Sequence, residues 1–244
     1  MVELFANSLV DGFLASNFTG QGIVWLQLAG SVLMLACAIG KWRQIRDQNA
    51  ALRRVGRDVL GGRDALEYYL ARRPSRRCAI ENIYNAACER LLNVLSPSVR
   101  SRVLGREPGV DAALSAHEME LVRVQCEHVL DVEELGAERG MGLISTVVML
   151  SPMLGLLGTV WGVLDAFAEM GGKGATSTVS INAIAPAISA ALVTTVVGLL
   201  VAIPGQIMHK SLSASIARFE ADMEGFVDTL IGRIALDFQG RAEP

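Results

Sequence analysis

Three stretches of the chain, residues 12–40, 140–164 and 174–208, carry no charged side chain. Each reaches the length of about 20 residues that a helix needs to cross the hydrocarbon of a bilayer. The pattern predicts transmembrane helices over 22–42, 140–168 and 183–208. The first is apolar mainly from Ile23 to Ile39 and is flanked by Trp25 and Trp42, where aromatic rings favour the membrane interface. No Lys or Arg precedes it, so it reads as a membrane helix rather than a cleaved leader. Between the first two runs, Gly61-Gly62, Pro74, Ser96-Pro97 and Pro108-Gly109 separate stretches whose apolar residues recur every three or four positions. That spacing predicts a helical domain over 43–139. Leu114, Leu121, Val124, Val129, Val132 and Leu135 approximate one stripe leading into the second membrane helix. After the third, Leu212, Ile216, Phe219, Met223, Phe226 and Leu230 follow a near-heptad seam. Both membrane helices are therefore expected to continue out of the bilayer, packed within one subunit or as a bundle in an oligomer.

Charge orients these elements. Residues 1–21 hold no Lys or Arg, residues 41–139 hold 17 of the 22, the connection after the second helix holds Lys173, and the tail holds Lys210, Arg218, Arg233 and Arg241. Basic residues accumulate on the cytoplasmic side, which puts segment 1–21 and loop 169–182 outside, and domain 43–139 and the C-terminal helix 209–244 in the cytoplasm. The expected fold is an all-α integral membrane protein: three transmembrane helices, a helical cytoplasmic domain, and helices 2 and 3 extended into the cytoplasm. Composition agrees, with 51% hydrophobic and 19% charged residues and a mean hydropathy of +0.38, against about a quarter charged in soluble domains. A net charge of -3 gives no electrostatic case for nucleic acid. Arg72, Arg73, Arg76 and Arg77 fit a solvated helical face, lipid head groups or a cytosolic protein.

Most catalytic chemistry lacks support. Cys37, Cys78, Cys88 and Cys126 form no C-x-x-C pair and read as core thiols. Cys126-x-His128, with His117 nearby, lacks two further ligands at finger spacing, so no metal site is expected. No phosphate-binding loop, dinucleotide fingerprint or nucleophile elbow occurs. Neither an enzyme nor a resident cofactor is expected, and an energy-using role would draw on something other than ATP.

The second and third helices carry small residues one turn apart, the pattern that lets helices approach closely in lipid. Ser151, Gly155 and Thr159 form one ladder and Gly158 with Gly162 another. On the third helix, Pro186, Ala190, Thr194, Gly198 and Ala202 run beside Ala187, Ala191 and Thr195. Gly155, Gly158, Gly162, Pro186, Ala190, Ala191 and Gly198 are the expected packing residues. Thr159, Ser189, Thr194 and Thr195 place hydroxyls near the middle of their helices. Such groups either bond a carbonyl of their own helix or line a hydrated ion pathway. No carboxylate lies mid-membrane, because Asp165 is six residues beyond Thr159, about 9 Å along a helix. If protons cross, the titrating group belongs to another chain.

The segment Ser151-Pro152-Met153-Leu154-Gly155-Leu156-Leu157-Gly158-Thr159-Val160-Trp161-Gly162 resembles the second-helix signature of the MotA/TolQ/ExbB proton-channel family. Residues 185–199, from Ala185-Pro186 to Gly198-Leu199, resemble its third-helix signature. The likeness covers about residues 140–236 closely and the rest by topology, and three helices with the N-terminus outside fit the ExbB/TolQ branch. It implies a pentameric ring in the bacterial inner membrane, with segment 1–21 and loop 169–182 periplasmic. The ring would surround the single membrane helices of an ExbD/TolR-like partner whose Asp is protonated in turn. Thr159 and Thr195 match the pore threonines that face this Asp. Ala190 departs from the family, many of whose members have Glu there, with Ser189 beside it here. The implied role is a motor subunit that couples H⁺ or Na⁺ flow to work in the periplasm or outer membrane. Gliding motility or polymer secretion, and a non-conducting scaffold, are the alternatives.

Overall fold

The computed structural model describes residues 12–14, 17–62, 66–71, 78–105, 113–172 and 181–238. Among them there is no strand. Seven helices follow in order: α1 (Phe18–Gly61), α2 (Glu67–Ala71), α3 (Ala79–Val94), α4 (Pro97–Leu104), α5 (Ala116–Glu138), α6 (Met141–Gly172) and α7 (Ile181–Asp237). The tip of the loop around Lys173 and the arginines at 72–77 lie outside the described residues. Three helical stretches, within α1, across α5 and α6, and within α7, are apolar and long enough to span a bilayer. The chain divides into two units, Met1–Lys41 with Gly140–Ser213 and Trp42–Arg139 with Ala214–Pro244.

The first unit contains the apolar parts of α1, α6 and α7. Val24, Met34 and Ala38 of α1, Ile144 and Val148 of α6, and Ala190, Ala191, Val201 and Ala202 of α7 are buried. Trp25, Val32, Met153, Leu156, Val160, Leu192 and Ile203 face outward. An apolar exterior of this extent is intolerable in water and normal against lipid or a neighbouring subunit.

In the second unit α3 packs along α5. Ile80, Ile83, Tyr84, Ala87, Cys88 and Leu91 form the buried face of α3, and Tyr84 stacks edge-on against Tyr68 with ring centroids 5.6 Å apart. The Tyr84 hydroxyl accepts a hydrogen bond from the Tyr69 backbone N–H at 3.1 Å, which satisfies its polar end. Burial pushes the Cys88 thiol up to about 12, so it stays protonated and behaves as a small apolar side chain. The near-heptad seam holds its place: Leu212, Ile216, Phe219, Met223, Phe226 and Leu230 are all buried. Arg123 of α5 approaches Asp228 of α7 at 3.6 Å.

Within this single chain the stripe Leu114, Leu121, Val124, Val129, Val132 and Leu135 is not the covered face of its helix. Val124, Val132 and Leu135 are 52%, 54% and 65% exposed, and the covered face of α5 is Val122, Cys126, Leu130 and Ala137. These residues recur at steps of four, four and seven on the helix that α3 packs along. The second membrane helix also does not run continuously from its predecessor. α5 starts with a capping box in which Ser115 Oγ accepts from the Glu118 N–H and the Glu118 carboxylate accepts from the Ser115 N–H. It ends at Arg139, after which Gly140 takes φ +88. A left-handed residue interrupts a right-handed helix, and Gly adopts it without the clash of a Cβ.

Val122→Ala should lower the stability of the detergent-solubilised protein by about 1–3 kcal/mol, and Met223→Ala by about 2–5 kcal/mol. Val124→Ala should stay within about 0.5 kcal/mol. Thermal unfolding checks this, and equal losses at Val122 and Val124 would show that both faces of α5 are covered.

Candidate functional site

The site is the antiparallel contact of α6 with the first half of α7, with α1 beside it. Its geometry starts from glycine. A Cβ on Gly155 would fall 2.8 Å from the Thr195 Cα and 2.9 Å from the Thr194 carbonyl oxygen. One on Gly162 would fall 2.7 Å from the Ala191 Cβ, one on Gly198 2.5 Å from the Ser151 carbonyl oxygen, and one on Gly158 would overlap the Thr194 side chain. Backbone therefore meets backbone at Gly155 and Gly198, and the α6 backbone meets the Thr194 and Ala191 side chains at Gly158 and Gly162, the close approach that small residues allow and lipid rewards with dispersion contact. Ala190 and Ala191 are buried here as well; the Pro186 side chain lies outside the described residues.

The four hydroxyls do not share one environment. Thr194 is fully buried, and its Oγ1 lies 2.7 Å from the Ala191 carbonyl and 3.1 Å from the Gly155 carbonyl across the contact. It donates to its own helix and ties α7 to α6. Thr159 is half-buried and donates to the Leu156 carbonyl at 2.8 Å. Thr195 Oγ1 is buried and has no hydrogen-bond partner among the described residues, an arrangement that costs about 1–3 kcal/mol. Ser189 is exposed, and six residues at 100° each separate it from Thr195 around the helix. Thr159 and Thr195 have a relation the others lack. Each follows by one residue a member of the facing pair Gly158 and Thr194, and on two antiparallel right-handed helices that step turns both to the same flank.

The structure adds polar groups that sequence reading passed over. Gln27 of α1 is 1% exposed, and its Nε2 donates to the Ser151 carbonyl at 3.0 Å. That bond fixes the amide, and its Oε1 remains buried without a partner among the described residues. The signal was an amide inside the apolar run Ile23–Ile39. Toward the other end, Asn17 Nδ2 donates to Asp165 Oδ2 at 3.0 Å. Both line a cavity of about 20 Å³ with Ala190, Thr194 and Trp161, room for one water molecule. Among the described residues no cluster of His, Cys, Asp and Glu could hold a metal ion. The arrangement can offer hydroxyls and amide oxygens to a proton carrier, water or a small cation, and holds no nucleophile beside a base.

Comparison with known proteins identifies the family. Residues 98–225 match the MotA/TolQ/ExbB proton channel family, a segment that includes α6 and most of α7. The chain belongs to that family. It is similar to the biopolymer transport protein ExbB of Pseudomonas putida, 34% identical over 130 residues, 51% of this chain and 38% of that protein. The Tol-Pal system protein TolQ of Haemophilus influenzae is 35% identical over 98 residues, 40% of this chain and 41% of that one. The matched segments thus span under half of either relative. The ExbB of Neisseria meningitidis aligns more fully, 27% identical over 213 residues, 83% of this chain and 89% of the relative. With its three apolar helices, the chain is a bacterial inner-membrane protein.

Gly155→Ala should separate α6 from α7, since its new methyl meets main chain that cannot rotate away. Gly142→Ala, with nothing within 4 Å, should behave as wild type. Size-exclusion chromatography and thermal unfolding in detergent would register the difference, and tolerance of Gly155→Ala would refute the close contact.

Proposed function

We propose that the chain is the ring-forming subunit of an ion-motive-force-driven motor of the ExbB/TolQ type, built as a pentamer around the membrane helices of an ExbD/TolR-like partner. The observation that carries this reading is the pair Thr159 and Thr195: two hydroxyls on one flank of the α6–α7 contact, the Thr195 Oγ1 buried without a partner among the described residues. A hydroxyl held where none of these residues satisfies it suits a group that arrives from another chain. The partner's membrane Asp is that group. When charged it accepts from a threonine hydroxyl; once protonated it leaves at a lower desolvation cost and passes the apolar wall. The membrane potential supplies about 2.3 kcal/mol per charge per 100 mV, enough to bias each step. H⁺ or Na⁺ is the ion, and the work is delivered in the periplasm or outer membrane, where the partner's remaining domain decides between uptake, envelope integrity, motility and secretion.

In this reading segment 1–21 and loop 169–182 face the periplasm, and 43–139 with 209–244 face the cytoplasm, as the distribution of Lys and Arg supports. Thr194 acts differently from its neighbour, since its hydroxyl already bridges the two helices. Ser189 stands away from the Thr195 flank. Ala190 removes the in-chain acid that many relatives carry, and Asp165, lining the same cavity as Ala190, keeps a carboxylate at that level of the bundle.

Reconstitution of the complex with its co-purified partner in liposomes tests the assignment. Thr159→Val and Thr195→Val should each lower proton flux at least about tenfold, equivalent to about 1.4 kcal/mol, with the assembled complex intact. Thr194→Val should instead reduce recovery of the assembled complex. Wild-type flux in both pore variants, or no flux from the wild-type complex, would leave a non-conducting scaffold as the better description.

A further inference from the structure

In the second unit a cleft of about 370 Å³ opens along α1 where that helix leaves its uncharged run. Trp42, Arg46, Asn49 and Arg53 of α1 line it at steps of four, three and four, so they share one face, and Ser215 of α7 closes the opposite wall. The Arg46 guanidinium carbon lies 5.8 Å from the centre of the Trp42 ring, a cation–π contact that orients the fork. Neither Arg46 nor Arg53 forms an ion pair among the described residues. Among the described residues no Asp or Glu lines the cleft.

We propose that this cleft binds the phosphate of an anionic phospholipid, with Arg46 and Arg53 as its cationic donors. Three features select this ligand. The first is depth. Arg46 lies five residues past Lys41, the first charge after the membrane run, about 7.5 Å along the helix, and the polar layer of one leaflet is about 6 Å thick. Side chains on a helix lean toward its N-terminus, which for α1 is the membrane side, so the Arg46 guanidinium reaches back toward the head groups, while Arg53, about 18 Å past Lys41, adds its charge from the cytoplasmic end of the cleft. The second is sign. Two guanidiniums and no lining carboxylate favour a lipid with net negative charge over one whose ammonium would meet them. The third is shape. A planar fork stacked on an indole matches a phosphate's two free oxygens, Asn49 and Ser215 add polar atoms beside it, and Trp42 is suited to the interface between head group and acyl chain. A lipid seated there would join α1 to α7 within this unit.

Native mass spectrometry of the full complex, delipidated and then offered phosphatidylglycerol, tests this. The wild type should retain the lipid, and the double variant Arg46→Gln, Arg53→Gln should lose at least roughly tenfold in occupancy, as expected for two basic groups near a charged surface. Arg43→Gln, exposed and outside the cleft, should bind as the wild type does. Phosphatidylcholine should not be retained, and an excess of inorganic phosphate should not displace the bound lipid. An equal loss in Arg43→Gln would overturn the site in favour of diffuse surface charge. Equal retention of phosphatidylcholine would overturn the anionic preference, and displacement by inorganic phosphate would reassign the cleft to a solvent anion. The variant spectra also report whether the complex is assembled, so lost binding is read on intact protein.

Discussion

The close approach of α6 and α7 is the constraint on which the membrane unit depends. Water does not drive helices together inside a bilayer, where tails are as apolar as leucine, so attraction comes from contact alone. Gly155, Gly158 and Gly162 bring main chain within touching distance of Thr194, Thr195 and Ala191. The same proximity decides the chemistry, because it buries Thr194 between two carbonyls and turns Thr159 and Thr195 to one side. Packing and polarity are therefore a single design. The ladder that glues the hairpin is also what aims its hydroxyls.

Much of this was legible in the chain itself. Charge-free runs mark the apolar helices, since a charge in hydrocarbon is costly enough to leave a gap in the pattern. The small-residue ladders name the contact, and the near-heptad seam names buried residues from Leu212 to Leu230. What escaped was set by tertiary choice. On α5 two candidate faces compete, and within this chain the more apolar one, with Val124, Val132 and Leu135, is exposed while the face of Val122, Cys126 and Leu130 is covered. Periodicity gives the angle between residues and not the direction of the neighbour. The break at Gly140 was hidden for a similar reason: a Gly inside an apolar pattern is common in membrane helices, and only its φ of +88 reveals a helix end.

The hydroxyls illustrate the same limit. Thr194 and Thr195 are adjacent and chemically identical, yet one bridges two helices and the other is left without a partner among the described residues. A rotation of 100° separates the two roles, and composition contains no trace of it. Gln27 was legible only as an amide among apolar residues. Its bond to the Ser151 carbonyl makes it a third strut for the hairpin, and its buried Oε1 is, like Thr195 Oγ1, without a partner among the described residues.

The joint at Gly140 sets one apolar stretch apart from the other two. α1 and α7 each run as a single helix, of 44 and 57 residues, although Pro204 inside α7 has no N–H to donate to the ladder. α6 instead begins after a residue in the left-handed region, so the apolar stretch that carries Thr159 is separated from α5 while its own wall stays fastened to α7 through Gly155, Gly158 and Thr194.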